Sequence, residues 1–452
     1  MLWRHLCRVR AWSAAGLLTC SFLGGAAPSV ARAEPAEPTP GADAAASEAV
    51  SVLDARKAGD LSVDARGAGQ DRVKMTIKNT SGKRLKVVLP PGLVASSAAA
   101  QAGGRGGFQS MGLGSVSNRP GSFGAFKTAD SGAPGFRSVG VQTGDPADAV
   151  TVPAGQTVEL TVVSVCLNFG VRTPGLRDKF ELVDVEDYTT DPRARKALRT
   201  LATYGTGQGV AQAVMWKVCN DVPFGVMTQE VNKVVNGHEV ALASRFVEAL
   251  DASGSSDLVD PAYLTEGRLF VRVVADGVLA GDAQRLAQEI EGMKVLGLPV
   301  RTVNANESGP VSAPAVLMNV VLSASPSGET RGRVALSRAV EEGHWSPLGK
   351  TSFHESSAPA VLDGAGLARA LDRAVASAFV TVKTARRSSG LTMVKVENRL
   401  PFTLANVTLR AGNSAGAPTV PFPGLGIAPT RSTLVPVQAP GATVDHVEMN
   451  GL

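Results

Sequence analysis

The sequence predicts a mixed, mainly β protein in which two immunoglobulin-like β-sandwich domains flank a helical segment and a small α/β domain. Apolar residues alternate with polar ones near both ends of the chain, which is the period of a half-buried strand. Between the ends, apolar residues recur at helical spacing over 191–255, and strand-like and helix-like runs alternate over 262–385. The chain's 49 glycines and 27 prolines supply turn residues for many short elements.

The first 33 residues have the pattern of an export signal. Three arginines give this segment a basic start, and an apolar stretch follows over 11–30. Ala31 and Ala33 place small residues at the two positions that a signal peptidase reads, so we expect cleavage after Ala33. Two alternatives remain open: an uncleaved membrane anchor, and a lipoprotein acylated at Cys20.

The net charge of the chain comes mostly from this N-terminal segment. The full chain has 45 Lys and Arg against 40 Asp and Glu, a formal charge of +5. Residues 1–33 contain four of the arginines and no acidic residue, so the remaining chain is nearly neutral. Its bulk charge therefore does not indicate a nucleic-acid partner. Residues 34–50 are rich in Pro, Ala and Glu, which predicts a disordered spacer.

The predicted first sandwich covers 51–190. Alternating runs near 61–65, 73–77 and 85–89 are separated by turn residues, which is typical of a strand meander. A segment over 95–150 is dominated by Gly, Ser and Ala, and we expect a flexible insertion because it offers little apolar area to bury. It is interpreted as a tolerated loop or, alternatively, as a weakly basic recognition arm. Its phenylalanines are Phe108, Phe123, Phe126 and Phe136.

Three helices are predicted within 191–255. Asp191 and Pro192 form a start signal, since Asp caps a helix and Pro suits its first position. Gly205 to Gly209 then precedes a second helix, and a third is expected over 239–250. The glycine-rich stretch follows a helix rather than a strand, so it does not match a dinucleotide-binding loop.

The α/β domain is predicted over 262–385, as a small sheet covered by two helices. A strand near 269–273 is followed by a helical stripe at 286–293, and a second helix is expected over 367–378. Further strands are expected at 298–303, 315–324 and 331–340, and a strand at 351–355 is left open.

The C-terminal sandwich, predicted over 391–452, resembles the first one. The run Val73–Asn79 is similar to Met393–Asn398, because each alternates and ends at Asn. Later, the run that begins at Val152 is similar to the run that begins at Ile427. The pattern suggests two related small β domains.

Cys166 and Cys219 are the two cysteines that remain after the predicted cleavage. An exported chain meets an oxidising compartment, so we predict a disulfide that joins the helical segment to the first sandwich. The alternative is two buried thiols that act as small apolar residues.

No motif assigns a catalytic, cofactor-binding or metal-binding residue, and no cofactor is expected. A Gly-x-Ser-x-Gly elbow, zinc-ligand spacing and a phosphate-binding loop are all missing from the sequence. His446 and Glu448 would share one face of a final strand, which we interpret as a solvated face rather than a metal site. The adjacent pairs His238–Glu239 and His354–Glu355 are predicted as surface residues.

These observations favour an exported, periplasmic or secreted, non-enzymatic binding or scaffolding protein. The expected partner is a protein or a cell-envelope component, with no nucleic acid, and with a membrane only if the N-terminus is retained. One alternative is an exported hydrolase whose site is assembled from distant residues. The candidates for that site are His344, His354, Glu341, Glu342 and Glu355. The other alternative is a membrane-tethered component of envelope assembly.

Overall fold

Strand-rich and helix-rich stretches follow one another in the predicted order. The computed structural model describes residues 49–97, 107–116, 149–229, 235–304, 314–341, 344–388, 391–412, 417–422, 426–437 and 439–452. The expected signal peptide, its cleavage after Ala33 and nearly all of the expected spacer lie outside these residues. Most buried apolar side chains of the described residues belong to one connected core. None of the helices described here combines the length and the apolar character that crossing a bilayer requires.

The first β region is built around a closed six-stranded barrel. Its elements are β1 (Ala49–Ser51), α1 (Val52–Lys57), β2 (Leu61–Gly67), β3 (Arg72–Asn79), β4 (Leu85–Val88), β5 (Leu93–Ser96), β6 (Met111–Val116), β7 (Val150–Val152), β8 (Thr157–Cys166) and β9 (Lys179–Asp184). The barrel runs β2-β3-β8-β6-β5-β9, and the other three strands form a small sheet, β1-β4-β7. The sequence predicts an immunoglobulin-like sandwich here. The structure has a barrel because β9 pairs with both β2 and β5 and so removes both free edges.

Part of the predicted flexible insertion over 95–150 is a barrel strand. β6 lies between β5 and β8, and Met111 and Leu113 on it are fully buried. Phe108 packs edge to face on Phe180 of β9, with 5.2 Å between the ring centroids. The prediction of a loop is therefore wrong for residues 107–116, because the strand's pairing partners are distant in sequence and do not show in its composition. The remaining phenylalanines, Phe123, Phe126 and Phe136, lie outside the described residues.

The helical segment contains the three predicted helices and three short ones. They are α2 (Val185–Tyr188), α3 (Pro192–Tyr204), α4 (Gln208–Asn220), α5 (Phe224–Gln229), α6 (Gly237–Ala252) and α7 (Pro261–Thr265). The side chain of Asp191 caps α3 by accepting a hydrogen bond from Arg193 N, and Pro192 is the first helical residue, as predicted. Asn236 and Glu239 form a capping box at the start of α6.

The α/β region is a six-stranded sheet with two helices. It comprises β10 (Leu269–Val274), α8 (Ala280–Ile290), β11 (Lys294–Val295), β12 (Leu298–Thr302), β13 (Val316–Ala324), β14 (Thr330–Glu341), β15 (His344–Glu355) and α9 (Gly364–Phe379). The strand order is β11-β12-β10-β13-β14-β15. β10 is parallel to β12 and β13, whereas β14 and β15 continue the sheet antiparallel. α8 and α9 pack against each other as well as on the sheet, so both cover the same face of it. The predicted small sheet with two covering helices is confirmed.

The C-terminal β region consists of two three-stranded antiparallel sheets. Its strands are β16 (Val380–Ser388), β17 (Leu391–Asn398), β18 (Leu404–Ala411), β19 (Thr419–Phe422), β20 (Ser432–Val437) and β21 (Ala442–Met449). One sheet runs β16-β17-β20 and the other β19-β18-β21. The first sheet begins at Val380, directly after α9, because β16 pairs with β17 rather than with the six-stranded sheet.

The two β regions share a local structure around a buried asparagine. Asn79 ends β3, Asn398 ends β17, and both side chains are fully buried. Each Nδ2 donates to the carbonyl four residues later and to a distant carbonyl, that of Val152 or Ile427. Each Oδ1 accepts the backbone N–H two residues later.

The turns that follow the two distant carbonyls also match. Gly155 and Thr430 hold the same place in their turns, and both have positive φ, 66° and 60°. The strand after each turn pairs with the asparagine strand in the same register. The register pairs are Lys78 with Thr157 and Glu397 with Ser432. The structure therefore confirms the repeat around the asparagine and the following turn, whereas the first region as a whole is a barrel and the C-terminal region has two sheets.

Candidate functional site

A cavity of about 730 Å³ opens where the barrel, the helical segment and the C-terminal β region meet. The first turns of α4 form its floor. One wall comes from the barrel and the loop between β8 and β9, and the other from the turn before β20 and the start of that strand. Its principal polar and aromatic side chains are Gln109, Gln208, Gln212, Trp216, Glu239 and Arg431.

Two glutamines one turn apart on α4 bond this helix to the barrel. Gln212 Oε1 accepts from Cys166 N at 2.8 Å, and Gln212 Nε2 donates to Cys166 O at 3.0 Å. Gln208 Nε2 donates to Ser164 O at 3.0 Å. These amides satisfy backbone groups at the end of β8 and fix the floor of the cavity against its barrel wall.

Glu239 is a buried carboxylate at the cavity, with only 1% of its surface exposed. Its Oε2 accepts from Asn236 N at 2.7 Å, and Arg431 Nη2 lies 3.1 Å from the same oxygen. Gly209 leaves the necessary room, because a Cβ there would overlap the Glu239 carboxylate. The predicted surface position is therefore wrong for Glu239. The capping box turns this side chain back toward the start of α6, underneath Arg431, while its neighbour His238 stays half-buried beside Arg338.

The loop after β8 forms the outer wall and is held by one ion pair. Arg172 donates to both carboxylate oxygens of Asp178 at 2.9 and 2.8 Å, and its guanidinium carbon lies 5.6 Å from the centroid of Phe108. The hydrogen bonds from Arg172, and then that from Gly175 N, lower the pKa of Asp178 to about 2.

An aromatic pair lines the cavity beside this loop. Phe169 is partly exposed and packs edge to face on Trp216, with 5.2 Å between the ring centroids. Trp216 Nε1 is buried and has no hydrogen-bond partner among the described residues. The cavity thus combines an aromatic edge with amide groups, a carboxylate and a guanidinium, a set that can hold a polar ligand with one flat apolar side.

Cys166 and Cys219 are free thiols in the structure, and the predicted disulfide between them is not formed in it. Cys166 Sγ lies 2.8 Å from Gln109 Oε1 at the cavity wall. Burial and then the charge of Asp71 raise the pKa of Cys166 to about 12. Burial likewise raises the pKa of Cys219 to about 12. Both therefore stay protonated at neutral pH, and the disulfide remains a prediction for the oxidised protein.

Of the residues proposed for an assembled hydrolase site, the described side chains of His344, His354 and Glu355 do not converge. His344 and His354 stand at opposite ends of β15, about 30 Å apart for an extended strand. His354 Nε2 lies 3.0 Å from Glu329 Oε2, and Glu355 pairs with Arg373. The backbone of Glu341 is in register with that of His344 across the β14–β15 turn, and Glu342 and the side chain of Glu341 lie outside the described part of the chain.

His446 and Glu448 share one face of β21, as predicted, with 3.3 Å between Nε2 and Oε1. His446 also lines a second, smaller cavity of about 150 Å³ together with Asp372. Burial raises the pKa of Asp372, although its carboxylate accepts a hydrogen bond from Leu296 N. No group of three or more His, Cys, Asp or Glu side chains in the described ranges is arranged to hold a metal ion.

The side chains that line the main cavity were not identified from the sequence. One signal was available, because Asn236 and Glu239 have the spacing of a capping box, which brings the glutamate back to the helix start. The glutamines of α4 carry no such signal. Their role depends on β8, which precedes them in the chain and meets them only after folding.

No protein-family model matches the chain, and a search of curated proteins finds no similar sequence.

Proposed function

We propose that the protein is an exported, non-enzymatic binding protein of the cell envelope or the extracellular space, and that it holds its ligand in the cavity floored by α4. The observation that carries this proposal is the cavity itself, about 730 Å³ and formed by three parts of the fold. Binding sites are commonly concave and lie where structural regions meet.

The lining favours a polar organic ligand. Gln109, Gln208 and Gln212 place amide groups at the cavity, and Arg431 adds a cation at its rim. Phe169 and Trp216 add an apolar edge against which a ring or a short side chain would pack. A peptide segment or a sugar of the cell envelope has this combination of groups.

Export is part of the proposal and rests on the N-terminal sequence. A basic start, an apolar run and small residues before Glu34 favour a periplasmic or secreted mature chain. We also retain a small immunoglobulin-like sandwich as the proposed class of the C-terminal β region, since its two antiparallel three-stranded sheets suit that class.

The proposal is tested with a variant in which a large side chain fills the cavity, and the measured quantity is the amount of bound ligand. Val171 is half-buried in the cavity wall, so Val171→Trp would occupy the space. Val361→Trp, at a side chain that is 76% exposed and does not line the cavity, is the matched control. The full chain, tagged at its C-terminus, is purified from the exported fraction and weighed by native mass spectrometry.

We expect a non-covalent adduct on the wild type and on Val361→Trp that is absent from Val171→Trp. An adduct that survives Val171→Trp, or no adduct on any of the three proteins, would contradict the cavity as the binding site. N-terminal sequencing of the same material is expected to start at Glu34. A chain that keeps its first residues in the membrane fraction would contradict export.

A further inference from the structure

The sheet β16-β17-β20 ends at β20, and no strand of the described residues pairs with the outer edge of β20. Asn398 N donates to Arg431 O, so these two residues form a hydrogen-bonded pair of the antiparallel ladder. The pairing continues along β20 without a register shift, so hydrogen-bonded and non-hydrogen-bonded pairs alternate. Ser432 and Leu434 are in non-hydrogen-bonded pairs, and their N–H and C=O groups therefore point away from β17.

The outward backbone groups of Ser432 and Leu434 have no hydrogen-bond partner in the described part of the chain. Both residues are only half-buried. Two N–H and two C=O groups thus lie along one edge, and the two residues are about 6.7 Å apart for an extended strand. Backbone groups are obligatory hydrogen-bonding groups, so water or another strand must satisfy them.

Most of β20 has none of the features that protect open strand edges, which are charge, proline and bulges. The edge strand β15 of the six-stranded sheet has all three, in Pro347, Lys350 and a register shift beside Ser337. β20 has the sequence STLVPV, with no charged residue and one proline, Pro436. Because Pro436 has no N–H, it limits pairing at the end of the strand and leaves the start of β20 open.

The counterpart of β20 in the first β region accepts a strand on the same edge. The register of the repeat equates β8 with β20, and β6 pairs with the second half of β8 on the edge away from β3. The repeated unit is therefore able to carry an added strand at this edge. In the C-terminal region the start of the edge strand adjoins the main cavity, since Ser432 and Thr433 both line it.

We propose that the ligand of the cavity floored by α4 is an extended peptide segment of another protein, which adds to β20 as the fourth strand of its sheet. This inference rests on the proposed function of the cavity and names its ligand class. The peptide backbone pairs with Ser432 and Leu434, and its alternate side chains supply specificity. The Phe169–Trp216 pair of the same cavity holds an apolar side chain of the peptide. A sugar has no row of donors and acceptors at strand spacing, so the open edge favours a peptide.

The test measures the affinity of the mature protein for a peptide. A decapeptide is selected on the wild type from a random phage-displayed library, and its Kd is measured by fluorescence anisotropy. Leu434→Pro removes the outward N–H of β20 without removing a hydrogen bond to β17. Leu434→Ala is the matched control, because it loses the same side chain and keeps the N–H. Circular dichroism and thermal melting check that both variants are folded.

Leu434→Pro should bind the peptide about tenfold more weakly than Leu434→Ala, since one backbone hydrogen bond is lost. Methylation of single peptide amides is a second readout that needs no variant of the protein. It should weaken binding at alternate positions of the peptide and leave the positions between them nearly unaffected. Equal affinities of the two variants, methylation effects that do not alternate, or a library that yields no binding peptide would overturn the inference.

The Val171→Trp variant separates this inference from the proposed function. A ligand that is lost from Val171→Trp but kept by Leu434→Pro occupies the cavity without pairing with β20. That result, which a sugar of the cell envelope would give, preserves the proposed function and rejects the peptide strand. Peptide binding that survives Val171→Trp contradicts the cavity as the binding site, and this inference falls with it.

Discussion

At the scale of single residues, one buried amide organises each β region. Asn398 uses its Nδ2 to satisfy the carbonyls of Phe402, Ile427 and Ala428, and its Oδ1 to satisfy Leu400 N. Ile427 O also accepts from Leu404 N, and Ala428 O from Arg431 N. For Phe402 O and Leu400 N, the Asn398 amide replaces the partner that a helix or a strand would supply.

Removing this amide should destabilise the C-terminal region. Asn398→Ala removes the hydrogen-bond partner of Phe402 O and of Leu400 N, and we expect a loss of about 3 kcal/mol in the free energy of unfolding. Asn406→Ala is the control, because Asn406 makes a half-buried hydrogen bond to Glu448, and it should cost less than about 1 kcal/mol. Urea unfolding measures both, and equal losses would count against this role for Asn398.

The contribution of Asp178 to stability should depend on pH. The pKa of Asp178, about 2, lies below its ordinary value of 3.8, so its contribution to stability is complete above the ordinary value and is lost as the pH falls toward 2. Asp178→Asn should lower the melting temperature at pH 6, and its difference from the wild type should shrink between about pH 4 and pH 2.

The control for this acid dependence is Asp257→Asn, at an exposed aspartate without an ion pair among the described residues. Its difference from the wild type should show no such trend. A constant effect of Asp178→Asn at every pH would remove the Arg172–Asp178 pair as the cause.

At the scale of elements, close packing against the start of α4 requires glycine at two positions. Gly207 precedes the helix, and its N–H donates to Thr403 of the C-terminal region at 3.2 Å. Gly209 in the first turn leaves space for Glu239 of α6. Two glycines thus let one helix end approach two other parts of the fold closely.

Glycine-to-alanine exchange separates this packing role from helix propensity. In an open helical position the exchange stabilises a protein by up to about 1 kcal/mol. Gly225→Ala in α5 should do so, because no atom lies within contact distance of the added methyl group. Gly209→Ala should instead destabilise by about 2 kcal/mol, since the methyl group collides with the Glu239 carboxylate. Thermal or urea unfolding decides, and stabilisation by Gly209→Ala would refute the close packing.

At the scale of the whole molecule, the cavity exists because three regions meet around α4. Gln212 bonds to the barrel, and Glu239 on α6 pairs with Arg431 at the start of the C-terminal sheet. Asn236 donates to Pro429 O across the same boundary at 3.2 Å. The Val171→Trp experiment therefore probes a property of the assembled chain rather than of one region.

Much of the local structure could be predicted from the sequence. The capping pair at Asp191 and Pro192 marks the start of α3, and the repeated asparagine marks the two related β regions. Such features depend on residues a few positions apart. β6 was not predicted because its burial depends on pairing with β5 and β8. The burial of Glu239 was not predicted because its partner Arg431 is far along the chain.

The sequence by itself determined the order of strands and helices, the repeat and the near-neutral charge after residue 33. The tertiary structure decided that β9 closes a barrel and that Glu239 is buried beside a cavity. The physical reason is the range of the interactions. Hydrophobic period and helix capping act over a few residues, whereas barrel closure and burial of a charge depend on pairing between segments that only folding brings together.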